Sequence, residues 1–156
     1  MRRMPLATLL AVAAVALAVV AAAQSPSRHK VVFQSNRDGR SQVYVVNADG
    51  TDQVNLTKTS STDYHPHGSP DGSKITLISR RDGDNEIYVM NPDGSGRTQL
   101  TTDPASDWGP AWHPDGGRIA FMSRRDGDNE LFTMNDRGGR QRQVTTNTKP
   151  DYDCDW

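Results

Sequence analysis

This 156-residue chain contains two copies of an acidic octapeptide whose side chains could do chemistry. The sequence SRRDGDNE occurs at Ser79–Glu86 and again at Ser123–Glu130. Its carboxylates could hold a divalent cation, but calcium needs six to eight oxygens that converge on one point. The spacing matches no calcium-binding loop, and the tip of a two-residue hairpin points successive side chains apart. The octapeptide is therefore interpreted either as a cation site or as a repeated structural turn.

A third version of the octapeptide shows which of its letters are required. The sequence SNRDGRSQ at Ser35–Gln42 lacks both later carboxylates and keeps the Arg-Asp-Gly triplet. Asp-Gly between apolar runs is a strong hairpin signal, because glycine accepts a positive φ and aspartate caps the turn backbone. Turn chemistry is therefore favoured over a metal-binding or catalytic role. The predicted structural turns are Arg37, Asp38 and Gly39; Arg81, Asp82 and Gly83; and Arg125, Asp126 and Gly127.

A second group of candidate ligands begins with His65 and His67, which alternate along a predicted strand and so face the same side. The equivalent positions later in the chain are Asp153 and Asp155. Two histidines and two aspartates around one channel could hold a divalent metal and support a metal-dependent, lyase-like enzyme. The middle copy has glycine and alanine at these positions, so the set is incomplete. We predict no catalytic residue, cofactor or bound metal, and keep the enzyme as the alternative.

An aspartate followed by an aromatic residue occurs three times, just before the same predicted strand. The carboxylate could cap the connection between two sheets, or acid and aromatic groups together could form a binding ring at the mouth of a channel. The two interpretations are compatible. The residues predicted to bind a partner are Asp63, Tyr64, His65, His67, Asp107, Trp108, Asp151, Tyr152 and Asp153.

These residues are positioned by a repeat of 44 residues that aligns without a gap. One period contains the apolar runs Ile75–Ser79 and Ile87–Met90, a more polar run at Arg97–Thr101, and a fourth candidate strand that starts at or just after Pro110. Three tight turns join the four strands, and a longer connection leads to the next set. A four-stranded unit of about 40–45 residues is typical of a β-propeller blade. We predict an all-β partial propeller of three four-stranded blade repeats.

The segments PAWHPDGGRIAF and RIAFMSRRDGDNELFTMN resemble the TolB-like, or PD40, propeller repeat. That repeat has a Trp-x-Pro-Asp-Gly turn, an apolar strand, an Arg-Asp-Gly hairpin and an Ile-Tyr-Val-Met-Asn strand. The resemblance covers residues 30–156 and implies a propeller fold, a periplasmic location and a protein partner. Some similar propellers are attached to serine peptidases, but no Gly-x-Ser-x-Gly motif follows the repeats here.

The strands fall in an offset order. With strands A to D counted from the channel outward, the chain reads B-C-D, then A-B-C-D twice, then a lone strand A at Tyr152–Trp156. Propellers close with four or more blades. We expect either that two chains join head to tail in a six-bladed ring, each lending strand A to the other, or that the sequence is a fragment of a longer propeller.

The first residues read as an export signal. Arg2 and Arg3, an apolar run and small residues predict a secretory signal peptide over residues 1–23, then a short linker over 24–30 and repeats over 31–74, 75–118 and 119–156. Without the two arginines, 16 basic residues face 19 acidic ones, a net charge of −3. Such a balance offers no basic patch for nucleic acid or anionic lipid. We predict a periplasmic or secreted protein with no membrane span after signal cleavage.

The expected partner is an envelope protein or glycan, bound without catalysis. Cys154 is the single cysteine, so it cannot form an internal disulfide, and burial is favoured over pairing between molecules.

Overall fold

The structure, a computed structural model, describes residues 29–156. The predicted signal peptide, and all but the last two residues of the predicted linker, lie outside this range. The described residues form eleven β-strands. No helix among them is long and apolar enough to cross a membrane.

The strands form three antiparallel sheets, which we call blades 1, 2 and 3. Blade 1 has the order β1-β2-β3, blade 2 the order β4-β5-β6-β7, and blade 3 the order β8-β9-β10-β11. The strand bounds are β1 Lys30–Ser35, β2 Gln42–Asn47, β3 Val54–Asn55, β4 Asp63–Gly68, β5 Ile75–Ser79, β6 Glu86–Met90, β7 Thr98–Gln99, β8 Asp107–Trp112, β9 Arg118–Ser123, β10 Glu130–Asn135 and β11 Arg142–Gln143.

The predicted all-β partial propeller is confirmed, and its strands follow the predicted offset order from β1 to β11. Each blade is a meander of sequential hairpins, and blade 1 lacks the innermost strand that β4 and β8 supply in the other two. Residues 152–156, predicted as a lone strand A, are not assigned to a strand, because within the described range no neighbouring strand pairs with them.

Two strand boundaries differ from those predicted. The innermost strand of blade 3 begins at Asp107, before Pro110, because the register shift between Trp108 and Ala111 accommodates a proline that cannot donate to the ladder. The outermost strands are only two residues long, since the polar run at Arg97–Thr101 pairs with β6 through Thr98 and Gln99 alone.

The core lies between the blades. Val43, Val45 and Leu56 of blade 1 pack against four residues of blade 2, namely Ile75, Leu77, Tyr88 and Met90. Ile87 and Leu100 of blade 2 form the second cluster with five residues of blade 3, namely Trp112, Ile119, Phe121, Phe132 and Met134. Both faces of blade 2 are therefore buried, which explains why its inner strands are apolar at successive positions.

Candidate binding cleft between blades 2 and 3

The Arg-Asp-Gly triplets hold the hairpin of each blade against the following strand. In blade 2 the Tyr88 hydroxyl donates to Asp82 at 2.8 Å, and the Arg81 guanidinium lies over the Tyr88 ring at 5.2 Å. The glycines of the three triplets have φ between 93° and 113°, a region that side chains disfavour. The equivalent groups in contact are Arg37, Asp38 and Tyr44 in blade 1, and Arg125 and Phe132 in blade 3.

The glutamate that ends each acidic octapeptide points into its own blade. Glu86 and Glu130 are buried, and Thr101 donates its hydroxyl to the Glu86 carboxyl group. Burial raises the pKa of Glu86 to about 7, and the negative charge of Asp107 adds to the increase. In blade 1 the same position is Gln42, whose amide oxygen accepts from Thr57 at 3.0 Å. The contact between Glu86 and Thr101 was not predicted from the sequence, although a threonine recurs at the same repeat position as Thr57, Thr101 and Thr145.

Two of the three aspartates predicted at the channel mouth are completely buried. Asp63 pairs with Arg97 at 3.2 Å, and Asp107 pairs with Arg125 at 3.0 Å. Burial raises the pKa of Asp107 although Arg125 opposes the shift. Asp151 is only half-buried. Asp63 and Asp107 therefore hold the start of each innermost strand in place, and their aromatic neighbours are the groups left to meet a ligand.

The innermost strands contain a bulge at the same repeat position. His65 has φ +50°, Gly109 has φ +64° and Asp153 has φ +51°. The strand pairing shifts register beside the first two of these residues. A non-glycine residue in this region stores backbone strain, which concentrates at functional sites.

A cleft opens between blades 2 and 3 beside this bulge. Its volume is about 330 Å³, and Tyr64 and Trp108 supply aromatic walls. Tyr64 donates its hydroxyl to Asn85 at 2.8 Å, and the ring of His65 meets it edge-on at 5.9 Å. The Arg124 guanidinium lies 5.4 Å from the centre of the Trp108 ring. The remaining lining residues are Ile78 and Ser106.

The cleft contains three polar residues that were not predicted from the sequence as binding residues, namely Arg124, Asn85 and Ser106. Arg124 is exposed, and its Nε atom donates to Asn129 at 2.8 Å, which fixes the guanidinium over Trp108. A charged group and an aromatic ring in contact offer both an anion-binding and an apolar surface. The doubled arginine of the octapeptide, SRRDG, was the signal that could have found Arg124.

The four residues considered as metal ligands lie around a second, smaller depression. His65, His67, Asp153 and Asp155 line a space of about 240 Å³ together with Cys154. Among residues 29–156, however, no three histidine, cysteine, aspartate or glutamate side chains lie close enough together to hold a metal ion.

Tyr152 and Cys154 flank the bulged position of the last repeat, Asp153. Cys154 is half-buried and donates its thiol to the Gly109 carbonyl at 3.1 Å, and burial raises its pKa to about 11. The thiol is therefore neutral at ordinary pH. Tyr152 is 71% exposed and lies outside the cleft between blades 2 and 3.

A family model for the TolB β-propeller domain, PD40, matches residues 6–96 and again residues 65–156. The two matches together cover nearly the whole sequence. The chain belongs to the TolB β-propeller family. No curated protein matches this TolB-family chain significantly.

Solved structures similar to this TolB-family propeller include two TolB proteins. A putative TolB from Agrobacterium tumefaciens superposes with a TM-score of 0.69 and 25% identity, over 73% of this chain and 44% of its own. TolB from Acinetobacter baumannii gives a TM-score of 0.71 and 16% identity, over 85% of this chain and 34% of its own. The chain thus spans less than half the length of either TolB structure.

An enzyme shares the fold as well. The oligogalacturonate lyase of Vibrio parahaemolyticus gives a TM-score of 0.57 and 12% identity, over 73% of this chain and 35% of its own. At that identity the similarity concerns the fold alone. The TolB-family assignment therefore establishes the architecture and leaves the activity to be argued from the residues of the cleft.

Proposed function

We propose that the protein is an exported, non-catalytic binding module that presents the cleft between blades 2 and 3 to an envelope protein or glycan. The observation that carries this proposal is the contact between Arg124 and Trp108 opposite Tyr64. Aromatic rings and arginine are the side chains that dominate binding surfaces, because they combine a large contact area with directed polar groups. The cleft contains both in a space large enough for a side chain or a sugar ring.

The chemistry of the cleft favours a ligand with two features. Trp108 and Tyr64 would stack on an apolar or CH-rich ring, and Arg124 would bind a carboxylate or another anion beside it. An acidic side chain next to an aromatic one in a protein loop has this pattern, and so does an acidic sugar. Nucleic acid does not fit the net negative charge of the chain.

Membership of the TolB family supports a location outside the cytoplasm, and the apolar N-terminal run is consistent with export. We place the protein in the periplasm or among secreted proteins. The predicted head-to-tail homodimer would use surfaces other than this cleft.

Photo-crosslinking from the cleft tests the binding proposal. A benzophenone amino acid at Tyr64 should cross-link an envelope protein or glycan, whereas the same group at Val54, which is 45% exposed on the outer strand of blade 1, should not. Trp108→Ala and Arg124→Ala should each weaken the cross-linked complex at least about tenfold. Arg40→Ala, which removes another exposed arginine, is the matched control. Equal cross-linking from Tyr64 and Val54 would contradict the proposal.

A metal-dependent, lyase-like enzyme is the second candidate, favoured by the depression that His65, His67, Asp153 and Asp155 share. Titration of the chelator-treated protein with divalent metals tests it. Stoichiometric uptake that His65→Ala and His67→Ala abolish would support the enzyme. No uptake would count against it and leave the binding cleft as the functional site.

A further inference from the structure

We propose that blade 3 carries a docking surface for blade 1 of a second copy of this chain. The surface, which we call the trailing face, consists of Ala120, Leu131, Thr133 and Val144 of blade 3, and Trp156 and the charged residues Arg118, Arg142 and Asp155 line the same depression. It forms a depression of about 330 Å³, in which Val144 is 52% exposed and Trp156 is 44% exposed. The cleft between blades 2 and 3 lies within one chain, so this inference goes beyond the proposed function.

The repeat itself shows what covers such a face. Each trailing-face position of blade 3 has an equivalent 44 residues earlier and another 88 residues earlier. In blade 2 the equivalents of Leu131 and Val144 are Ile87 and Leu100, and blade 3 buries both. In blade 1 they are Val43 and Leu56, and blade 2 buries both. A trailing face of this repeat is therefore complementary to the opposite face of another blade.

Blade 1 presents that opposite face. We call it the leading face, and it consists of Val31, Phe33, Tyr44 and Val46. The equivalent residues are Ile75, Leu77, Tyr88 and Met90 in blade 2, and Ile119, Phe121, Phe132 and Met134 in blade 3, and all eight are buried against the preceding blade. Val31 is 51% exposed, whereas Tyr44 is only 4% exposed, because Phe33 stacks on it at 5.6 Å and the Arg37 guanidinium lies over its ring. The apolar character of the face is kept, with smaller side chains at Val31 and Val46, although no other blade covers it within residues 29–156.

Residues 151–156 repeat two backbone features of an innermost strand. The Asp151 amide donates to the Asn129 carbonyl at 2.8 Å, as the Asp107 amide does to Asn85. Asp153 also repeats the positive φ of the bulge. Trp156 donates its indole N–H to the Ala111 carbonyl at 3.1 Å, and the Arg118 guanidinium lies over its ring at 4.9 Å.

The inner edge of β1 is the edge with which residues 151–156 of the second copy would pair. Among residues 29–156, β1 pairs only with β2, on its other edge. In blade 2 the innermost strand pairs Asp63 with Ser79 and Gly68 with Ile75. The same register would pair Asp151 of the second copy with Ser35, and Trp156 of the second copy with Val31. Two copies would thus form two identical contacts and bring six blades together, an arrangement that leaves neither edge free.

Charge substitutions on the two faces test the proposal. Val31→Asp and Val144→Arg change side chains that are half-exposed within one chain, so both variants should fold. The equivalent pairs Ile75–Leu56 and Ile119–Leu100 each lie in one cluster, so Val31 should meet Val144 of the second copy. Analytical ultracentrifugation of the purified protein should show a dimer. Each single variant should weaken it at least about tenfold by burying an unpaired charge.

Mixing the variants gives the decisive result. A heterodimer of Val31→Asp and Val144→Arg has one native contact and one contact in which aspartate faces arginine, so the 1:1 mixture should contain more dimer than either variant alone. Thr102→Arg, which places the same charge on an exposed loop, should leave the dimer intact. A wild-type monomer, or a dimer that neither substitution weakens, would overturn the docking surface. A monomer would leave the cross-linking from Tyr64 unaffected, so the two proposals fail separately.

Discussion

Glu86 carries a carboxyl group inside blade 2 at the position where blade 1 carries the amide of Gln42. The pKa of about 7 in the folded chain lies above the ordinary glutamate value of 4.5, so folding favours the protonated form. Between these two pH values the unfolded chain loses a proton that the folded chain keeps, and stability falls as the pH rises. Below about pH 4.5 both states are protonated and the stabilisation of the folded state is complete.

We expect Glu86→Gln to remove that pH dependence. The amide should accept from Thr101 as the Gln42 amide accepts from Thr57, and it has no charge to desolvate. The variant should gain roughly 2 kcal/mol over the wild type at pH 8, and little at pH 4. Urea unfolding at the two pH values measures the difference. Asp128→Asn, at the equivalent half-buried carboxylate of blade 3, is the control, and an equal gain at both pH values would contradict the assignment.

The buried aspartates receive their arginines from two different positions. Asp63 pairs with Arg97, where the other blades have Gln53 and Gln141, whereas Asp107 pairs with Arg125 of the Arg-Asp-Gly triplet. In blades 1 and 3 the triplet arginine donates to that glutamine at 2.7 Å. Blade 2 therefore has a second arginine, Arg81, that could replace Arg97.

Because Arg81 could replace Arg97 beside Asp63, we expect the effects of substituting these two arginines on stability to be strongly coupled. In Arg97→Gln, Arg81 should turn toward Asp63 as Arg125 does toward Asp107, so the substitution should cost about 1 kcal/mol or less. Removing both arginines leaves a buried carboxylate unpaired and should cost about 3–5 kcal/mol. A double-mutant cycle with Arg81→Gln, measured by urea unfolding, gives the coupling. Additive costs would show that Arg81 cannot reach Asp63.

At the scale of single elements, the innermost strands of blades 2 and 3 allow the strain at the bulge to be compared between two residue types. His65 and Gly109 occupy the same bulge with similar φ, but only glycine adopts it without strain. His65→Gly should therefore stabilise the fold by about 0.5–1 kcal/mol, and Gly109→Ala should destabilise it by about 1 kcal/mol.

The two substitutions in the bulge separate strain from packing. A Cβ atom at Gly109 would meet only the Met122 side chain, at the ordinary distance of 3.8 Å, so the cost of alanine there is conformational. Thermal unfolding measures both variants. If His65→Gly loosens the cleft as well, cross-linking from Tyr64 will decrease while stability rises, which is the outcome expected of strain retained for function. Loss of stability in His65→Gly would mean that the imidazole packs more favourably than the strain costs.

The strands and turns of this chain were predictable because the repeats could be compared with one another. Comparison of SRRDGDNE with SNRDGRSQ separated the turn triplet from the optional carboxylates, and the 44-residue period predicted the blades. The burial of Asp63 and Asp107 was not predictable in this way. An aspartate that is identical in every repeat does not indicate whether its side chain faces solvent or an arginine. The cleft was missed in part because Trp108 lies in β8 beside the bulge and Arg124 follows the end of β9, so their contact depends on that bulge.

At the scale of the whole molecule, stability should depend on concentration. If the trailing face of one copy covers the leading face of another, association stabilises the folded state by mass action. Raising the protein concentration a hundredfold should then raise Tm by about 3–5 °C. Val144→Arg should abolish that increase and leave the Tm measured at the lowest concentration unchanged, because this side chain is half-exposed in one copy. A Tm that does not respond to concentration in the wild type would show that three blades unfold as an isolated unit.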